Sequence, residues 1–145
     1  MGLIGFLLVG LLLGADRWLK WQAINGVTAN GPFWHFGLLK NDALVFSWPA
    51  PNWLAIGLML VGTAVIFYFM WRLRWRSSGL IMVGWMLILC GDVSNLYDRL
   101  IYGFVVDWAN FGKWVPVFNL ADLMVVFGLV VILRYYSIDK KPRIK

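Results

Sequence analysis

The chain has 145 residues, of which 61% are hydrophobic and 14% charged, and its formal net charge is +6. A soluble domain carries roughly 25% charged residues, so this composition excludes an ordinary water-soluble protein and indicates a membrane protein with a single domain, residues 1–145. The cations border apolar segments, which is typical of topology signals and argues against a nucleic-acid partner.

Four apolar segments approach the roughly 20 residues that a helix needs to cross a bilayer. In chain order they are residues 2–21, 53–71, 79–97 and 119–136. The first has no basic start and no small-x-small cleavage site, so we expect it to remain in the mature protein. The predicted fold class is therefore an all-α integral membrane protein with four transmembrane helices and a small extracytoplasmic β-like loop region.

The orientation of these helices follows from the cations around them. Two cationic clusters stand out: Arg72, Arg74 and Arg76 between the second and third segments, and Arg134, Lys140, Lys141, Arg143 and Lys145 after the fourth. The positive-inside rule puts both clusters, and therefore both termini, in the cytoplasm. Connections 22–52 and 98–118 then face outward. In the first we expect short strands in 32–39 and 44–48, separated by a polar turn at 40–42.

The acidic residues gather on the outer side of this topology. All seven are aspartates, and only Asp139 falls on the cytoplasmic side. A single aspartate near a helix end reaches headgroup water cheaply, but several at one level favour a functional site. Asp16 and Lys20 are four residues apart, which predicts a structural ion pair on one helix face.

Two further segments combine carboxylates with asparagines. Asp92, Asn95 and Arg99 share a helix face, and Asn95 is spaced to hydrogen-bond Asp98. Asn119 is predicted to cap a helix that has an acidic first turn, where an acid is favoured by the helix dipole; this leaves Asp122 free for another role.

Thiol and histidine chemistry is poorly supported by the remaining residues. Cys90 lies in an apolar run, which indicates an inert buried thiol. His35 is the only histidine, which argues against a zinc site, and nothing near Ser94 is positioned to activate it. Carboxylate chemistry remains: two aspartates that share a proton can divide the roles of acid and base. Periodicity alone leaves a structural adaptor or a proton-pathway role open.

Three motifs near the C-terminus occur in a fixed order: Asn95–Arg99, Gly103–Trp108 and Phe118–Asp122. They closely resemble the N-x-x-D-R, G-x-V-x-D-F and F-N-x-A-D motifs of the lipoprotein signal peptidase family, also called signal peptidase II. Asp16–Lys20 resembles that family's D-x-x-T-K, and Asn41–Phe46 resembles its N-x-G-x-A-F. The resemblance covers most of the chain, including its length and four-helix layout.

The resemblance implies an aspartic peptidase of the bacterial inner membrane. It would cut diacylglyceryl-modified prolipoproteins before the lipidated cysteine, at a site near the periplasmic face. Matched by position, Asp107 and Asp122 are the implied catalytic residues. Asn95 and Asn119 would orient them and the scissile backbone, and Arg99 would contact substrate carbonyls.

The resemblance also implies supporting roles for other residues. Asp98 would hold the local architecture, and Asp16, Lys20 and Asn41 would shape the site and the loop over it. The partners implied are prolipoproteins and membrane lipids, with no metal and no organic cofactor, and the oligomeric state stays open. The alternatives are a small proton-coupled transporter or ion-pathway subunit, and a diverged paralogue that does not process lipoproteins.

The chain departs from the family pattern at several positions. Leu19 replaces the threonine, Ala43 the loop glycine and Ser94 the glycine before the asparagine. Trp108 replaces the phenylalanine after the first catalytic aspartate, and Asp92 stands where a small residue is usual. None of these changes removes a catalytic position, and Asp92 is expected to add a carboxylate near the pair.

Overall fold

The computed structural model describes residues 3–43, 51–73, 79–112 and 115–139. It is mostly helical, with one small sheet. The helices are α1 (Leu3–Ile24), α2 (Asn52–Leu73), α3 (Gly79–Tyr102) and α4 (Leu120–Asp139), and the strands are β1 (Ala29–Asn30), β2 (His35–Asn41) and β3 (Val105–Asn110).

The closest helix pair is α3 with α4, and glycines make that contact possible. A Cβ on Gly91 of α3 would lie 2.5 Å from the carbonyl oxygen of Ala121. A Cβ on Gly128 of α4 would lie 2.5 Å from the carbonyl oxygen of Gly84. Without side chains at these points the two backbones approach directly, as small residues allow between membrane helices. The contact at Gly91 lies one turn before Asn95, so it sets the spacing at the outer end of the pair.

Among the residues that the structure describes, three helices have the length and composition needed to cross a membrane: α2, α3 and residues 120–137 of α4. Their outward faces are strongly apolar, as with Phe67 and Leu133, which are well exposed. Helix α1 has 22 residues but carries Asp16, Arg17 and Lys20 in its second half. The prediction of a mostly helical membrane protein with several spans and a small β region is confirmed at this level.

The third predicted segment is five residues too short, because α3 continues to Tyr102. Asp98 is therefore part of a helix, and its prediction as a loop residue is wrong. It is fully buried. The helix continues beyond the apolar run because its polar outer end is enclosed by α1 and β3, so burial inside the protein replaces burial in lipid.

The sheet is antiparallel, in the order β1-β2-β3. Asn41 pairs with Val105, and Leu39 pairs with Asp107. The predicted strand in 32–39 is confirmed in part by β2, but the predicted turn at 40–42 is wrong, because Lys40 and Asn41 continue the strand. Strand β3 was not predicted, and the predicted strand at 44–48 lies outside the described residues.

Two apolar clusters fill the space between the helices. Val9, Leu87 and Met124 join α1, α3 and α4, while Ile66, Ile88 and Ile132 join α2, α3 and α4. These clusters pack the helices together, in addition to the polar contacts at the outer ends of the helices.

Candidate active site

The start of α4 is closed by a reciprocal cap. The Asp122 backbone N–H donates to Asn119 Oδ1 at 3.0 Å, and the Asn119 N–H donates to Asp122 Oδ2 at 3.1 Å. This is a capping box with aspartate in the place of the usual glutamate. A third N–H, that of Ala121, donates to Asp16 Oδ1 at 2.9 Å. The predicted cap at Asn119 is confirmed, and it fixes the Asp122 carboxyl at the positive end of the helix.

Asp107 reaches the same point from β3. The Asn119 side-chain amide donates from Nδ2 to Asp107 Oδ1 at 2.7 Å. From the neighbouring strand, Asn41 Nδ2 donates to Asp107 Oδ2 at 2.8 Å. Asn119 therefore caps Asp122 with one end of its amide and holds Asp107 with the other.

Asn95 completes the arrangement from α3. Its Nδ2 donates to Asp122 Oδ1 at 2.8 Å, and its Oδ1 accepts from Asn119 Nδ2 at 3.1 Å and from Lys20 Nζ at 2.8 Å. We call Asp107 and Asp122 the acid pair. The acid pair and its three asparagines form the acid site: Asn41, Asn95, Asp107, Asn119 and Asp122.

The Asp107 carboxyl is fully buried. Burial, followed by the negative charge of Asp122, raises its pKa to about 6 from an ordinary value of 3.8. Hydrogen bonds from Asn41 and Asn119 and the charge of Lys20 act in the opposite direction. Two carboxyls that repel each other across a site lined by neutral amides favour a state with one shared proton. Such a pair can deprotonate a water with one member and protonate a carbonyl or amine with the other.

A second polar group lies behind the acid site. We call it the ion cluster; it contains Asp16, Arg17, Lys20, Ser94 and Asp98. Lys20 is fully buried, and its Nζ lies 3.2 Å from Asp16 Oδ2 and 2.7 Å from Asp98 Oδ2. The predicted Asp16–Lys20 pair is confirmed. The predicted hydrogen bond between Asn95 and Asp98 is wrong, because Asp98 turns to the cations of α1.

Two members of the ion cluster were not assigned a role from the sequence. Arg17 NH1 lies 2.6 Å from Asp98 Oδ1 and 3.2 Å from Ser94 Oγ. Ser94 Oγ in turn donates to Asp16 Oδ2 at 2.6 Å. Arg17 and Lys20 are three residues apart, so they share a helix face, and that spacing was the signal available in the sequence.

Arg99 lies outside both groups, against α2 and the first outer connection. Its NH2 donates to the Ala43 carbonyl at 2.5 Å, and its NH1 donates to Asn52 Oδ1 at 3.3 Å. Asn52 returns a hydrogen bond to the Arg99 carbonyl at 3.2 Å. This two-way contact joins the outer ends of α2 and α3. Asn52 had no role in the sequence analysis, because nothing local marks it.

Thr63 Oγ1 of α2 donates a hydrogen bond to Asp92 Oδ2, so the Asp92 carboxyl joins α2 to α3. Asp92 is not a member of the acid site. Cys90 packs against the cluster of Val9, Leu87 and Met124. Its contacts agree with the predicted inert thiol.

His35 bonds Asn30 across the sheet at 2.6 Å. It lines a cleft of about 390 Å³ with Trp34 and Phe111. The cleft lies three residues further along β3 than Asp107, roughly 10 Å away. Within the described ranges, no group of three His, Cys, Asp or Glu side chains is arranged to hold a metal ion.

Comparison with known proteins gives the same relationship at two levels. Among solved structures, one described as a bacterial membrane enzyme superposes with a TM-score of 0.77 at 20% identity, covering 97% of this chain and 93% of the other. A second, described in the same way, gives a TM-score of 0.73 at 19% identity, covering 92% of each chain. At this identity the likeness shows a shared fold.

Sequence relatives carry more specific names. The lipoprotein signal peptidase of Moorella thermoacetica is 32% identical over 134 residues, covering 88% of this chain and 89% of the relative. That of Halothermothrix orenii is 34% identical over 100 residues, covering 69% of this chain and 61% of the relative. The family model described as Signal peptidase (SPase) II matches residues 8–138. With that match spanning both the acid site and the ion cluster, the chain belongs to the signal peptidase II family.

Proposed function

We propose that this chain removes signal peptides from diacylglyceryl-modified prolipoproteins, cleaving before the lipidated cysteine, and that it does so as an aspartic endopeptidase. One observation carries the catalytic assignment. The carboxyls of Asp107 and Asp122 are held on the same Asn119 residue, at 2.7 Å and 3.1 Å. Both acids are bound by neutral amides, so their charges are not cancelled by direct ion pairs.

The reaction follows from one proton on the acid pair. The ionised member takes a proton from a water, whose oxygen attacks the scissile carbonyl. The protonated member gives its proton to the carbonyl oxygen, and proton transfer to the leaving nitrogen then breaks the C–N bond. The chemistry uses only water and the two carboxyls. The pair titrates as a unit, so we assign the proton to the pair and not to either residue.

The pKa of Asp107, about 6, sets the expected pH dependence. As the pH rises through this value, the pair loses its shared proton and with it the general acid. We therefore expect kcat/KM to fall on the alkaline side, with an apparent pKa near 6 in the free enzyme.

The other motif residues have supporting roles in this proposal. Asn95 and Asn119 hold the carboxyls by hydrogen bonds, and Asn41 ties Asp107 to β2, which is part of the first outer connection. Arg99 already donates to a backbone carbonyl, that of Ala43, and a substrate carbonyl presents the same chemistry.

We further propose that α1 is the fourth transmembrane helix of one domain in the bacterial inner membrane. Its apolar first half can lie in lipid, because its charged residues lie on the outer half and bind inside the protein. Arg72 and Arg134 lie at the helix ends opposite the acid site. This charge asymmetry supports cytoplasmic termini and an acid site at the periplasmic face. A lipidated cysteine at the end of a signal helix would lie at that same interface.

The test is cleavage of a diacylglyceryl-modified prolipoprotein by the purified protein in detergent micelles or lipid vesicles. We expect release of the signal peptide, with the new N-terminus at the lipidated cysteine. The same prolipoprotein without the diacylglyceryl group serves as the substrate control and should remain uncut. Equal cleavage of both substrates, or cleavage elsewhere, would contradict the proposed specificity.

The catalytic assignment is tested in the same assay with an aspartate control. Asp42 is exposed and follows Asn41 directly. Asp42→Asn should retain most of the activity, whereas Asp107→Asn should lose it. If both variants cleave normally, the protein is a peptidase by another mechanism; if wild-type protein does not cleave, the activity itself is wrong.

A further inference from the structure

The ion cluster contains a cation that the signal peptidase II motifs do not require. In D-x-x-T-K, Arg17 occupies an unspecified position next to the aspartate. Nevertheless, it is held from several directions. Its NH1 donates to Asp98 Oδ1 at 2.6 Å, to Ser94 Oγ at 3.2 Å and to the Ser94 carbonyl at 3.3 Å. Its guanidinium also lies over the Tyr97 ring, 4.5 Å from the centroid. A side chain fixed in this way makes a specific contact rather than a surface ion pair.

Ser94 is the second unusual residue, since the family pattern has glycine there. A glycine offers no hydroxyl, whereas Ser94 Oγ both accepts from Arg17 and donates to Asp16 Oδ2. Arg17 and Ser94 are therefore hydrogen-bonded to each other in this chain, and Ser94 passes the connection on to Asp16. This unit links α1 to α3 directly behind Asn95.

The geometry at Asp98 shows what the extra cation does. Asp98 Oδ2 accepts from Lys20 at 2.7 Å and from the Val106 N–H at 3.2 Å, while Arg17 occupies Oδ1. Val106 directly precedes Asp107 on β3. Asp98 therefore anchors the strand that presents one member of the acid pair, and each of its two carboxylate oxygens is bound by a different cation.

The formal charges give the second reason. Asp16 and Asp98 balance Lys20 and Arg17, so the ion cluster is neutral. Without Arg17, a single buried lysine would face two carboxylates while its Nζ also holds Asn95 Oδ1 at 2.8 Å. Removing one partner of a buried ion pair leaves an uncompensated charge, and Coulomb attraction then draws the nearest remaining cation, Lys20, further towards Asp98. That movement would weaken the Lys20 contact with Asn95 and hence the Asn95 contact with Asp122.

We propose that Arg17 is a positioning residue for cleavage: it balances Asp98, so that Lys20 stays on Asn95 and the acid pair keeps its geometry. This inference rests on the proposed aspartic mechanism. It assigns no contact between Arg17 and the substrate or the reacting atoms.

The charged groups around the acid pair give the sign of the expected effect. On α1 they are Asp16, Arg17 and Lys20, and on α3 they are Asp98 and Arg99. Asp42, which directly follows β2, acts on Arg99, and the pair itself comes from β3 and α4. Removing the charge of Arg17 makes these surroundings more negative, and negative surroundings hold a proton more tightly. The alkaline limb of the pH profile should therefore move to higher pH.

The experiment compares pH profiles of kcat and KM for wild type, Arg17→Gln and Arg17→Lys on the diacylglyceryl-modified prolipoprotein. For Arg17→Gln we expect an upward shift of the alkaline limb by roughly 0.5–1 pH unit and about a tenfold fall in kcat, with KM little changed. Arg17→Lys keeps the charge and should restore the position of the limb. Arg134→Gln, an exposed arginine at the other end of α4, is the matched control and should leave the profile unchanged.

A wild-type profile in Arg17→Gln, or the same shift in Arg17→Lys, would overturn the role of the Arg17 charge. A second measurement does not depend on activity: a double-mutant cycle of Arg17→Gln with Asp98→Asn, followed by thermal unfolding in micelles. We expect the double variant to be less destabilised than the sum of the two single variants. Strict additivity would overturn the proposal even if the protein proved not to be an aspartic peptidase. If Asp107→Asn is inactive but the pH profile of Arg17→Gln is not shifted, the aspartic mechanism stands and only the role of Arg17 is refuted.

Discussion

The two polar groups at the outer end of the helices contain similar residues but are balanced differently. In the ion cluster, each buried carboxylate touches a cation: Asp16 meets Lys20 at 3.2 Å, and Asp98 meets both Lys20 and Arg17 within 2.7 Å. In the acid site, Asp107 is bound by the side-chain amides of two asparagines, and Asp122 by the Asn95 side-chain amide and the Asn119 backbone N–H. The charges of the ion cluster are neutralised by direct ion pairs, whereas the acid site contains two acids that repel each other.

This difference separates structural from chemical use of buried charge. A buried ion pair keeps its charges because each stabilises the other, and breaking it is costly. The two acids of the acid site are bound by neutral amides and are compensated only from a distance, by the charge of Lys20. In the proposed mechanism, a proton shared by the two acids relieves their repulsion. The resulting proton is available at a pH close to neutral, which is the property that acid-base catalysis needs.

The largest expected effect comes from the acid pair. Asp107→Asn and Asp122→Asn should each fold and insert yet lose cleavage by roughly a thousandfold or more, because asparagine cannot exchange the shared proton. The double variant should be little worse than either single one. Cleavage of diacylglyceryl-modified prolipoprotein measures the loss, with circular dichroism as the folding check. Multiplying losses in the double variant would mean that the two acids act independently.

Breaking the ion cluster should instead reduce stability. Lys20→Met removes a cation held by Asp16 and Asp98, and a buried pair that loses one partner costs about 3–5 kcal/mol. Denaturant unfolding in mixed micelles measures this, and Asp42→Asn is the surface control. If Asp122→Asn proved as destabilising as Lys20→Met, the distinction between the two groups would fail.

A smaller effect is expected in the pH dependence of stability. Because folding raises the pKa of Asp107 from 3.8 to about 6, its contribution to stability is fully present below 3.8 and is lost as the pH rises through 6. The difference in unfolding free energy between wild type and Asp107→Asn should therefore decline with rising pH by up to about 3 kcal/mol. Unfolding curves for both proteins at several pH values measure it. If the difference in unfolding free energy does not change with pH, folding does not raise the pKa of Asp107.

The smallest effects are expected from substitutions outside both the ion cluster and the acid site. Cys90→Ala and His35→Gln should each retain most of the turnover, since neither side chain contacts the acid pair. Turnover at matched protein concentration is the measurement. A folded but inactive variant of either residue would reopen thiol or histidine chemistry.

The sequence predicted whatever depends on local pattern. Hydropathy located the helices to within a few residues at most ends, and the spacing of Asn119 and Asp122 predicted the cap. The spacing of Asp16 and Lys20 likewise predicted their ion pair. Each of these features depends on residues within one helix, or within one turn of it, so the local sequence is enough to predict it.

What the sequence did not predict depends on pairing between distant elements. Strand β3 exists because it pairs with β2, and its residues carry no alternation that marks a strand, since Val105, Val106 and Asp107 are all buried. The second cation on Asp98 and the Asn52–Arg99 contact bring together residues 81 and 47 positions apart. The catalytic roles came from motif resemblance, because neither the charges nor the periodicity distinguishes Asp107 from Asp98.

The double use of Asn119 bears on how the protein matures. Helix ends open more easily than helix centres, and here the N-cap residue Asn119 carries the amide that also joins Asp107 to the rest of the site. The acid pair is therefore complete only when β3, α3 and the start of α4 are all in place around Asn119. A chain still emerging into the membrane carries two separated aspartates that cannot share a proton. Under the proposed mechanism, a newly made molecule therefore has no catalytic pair until α4 is in place.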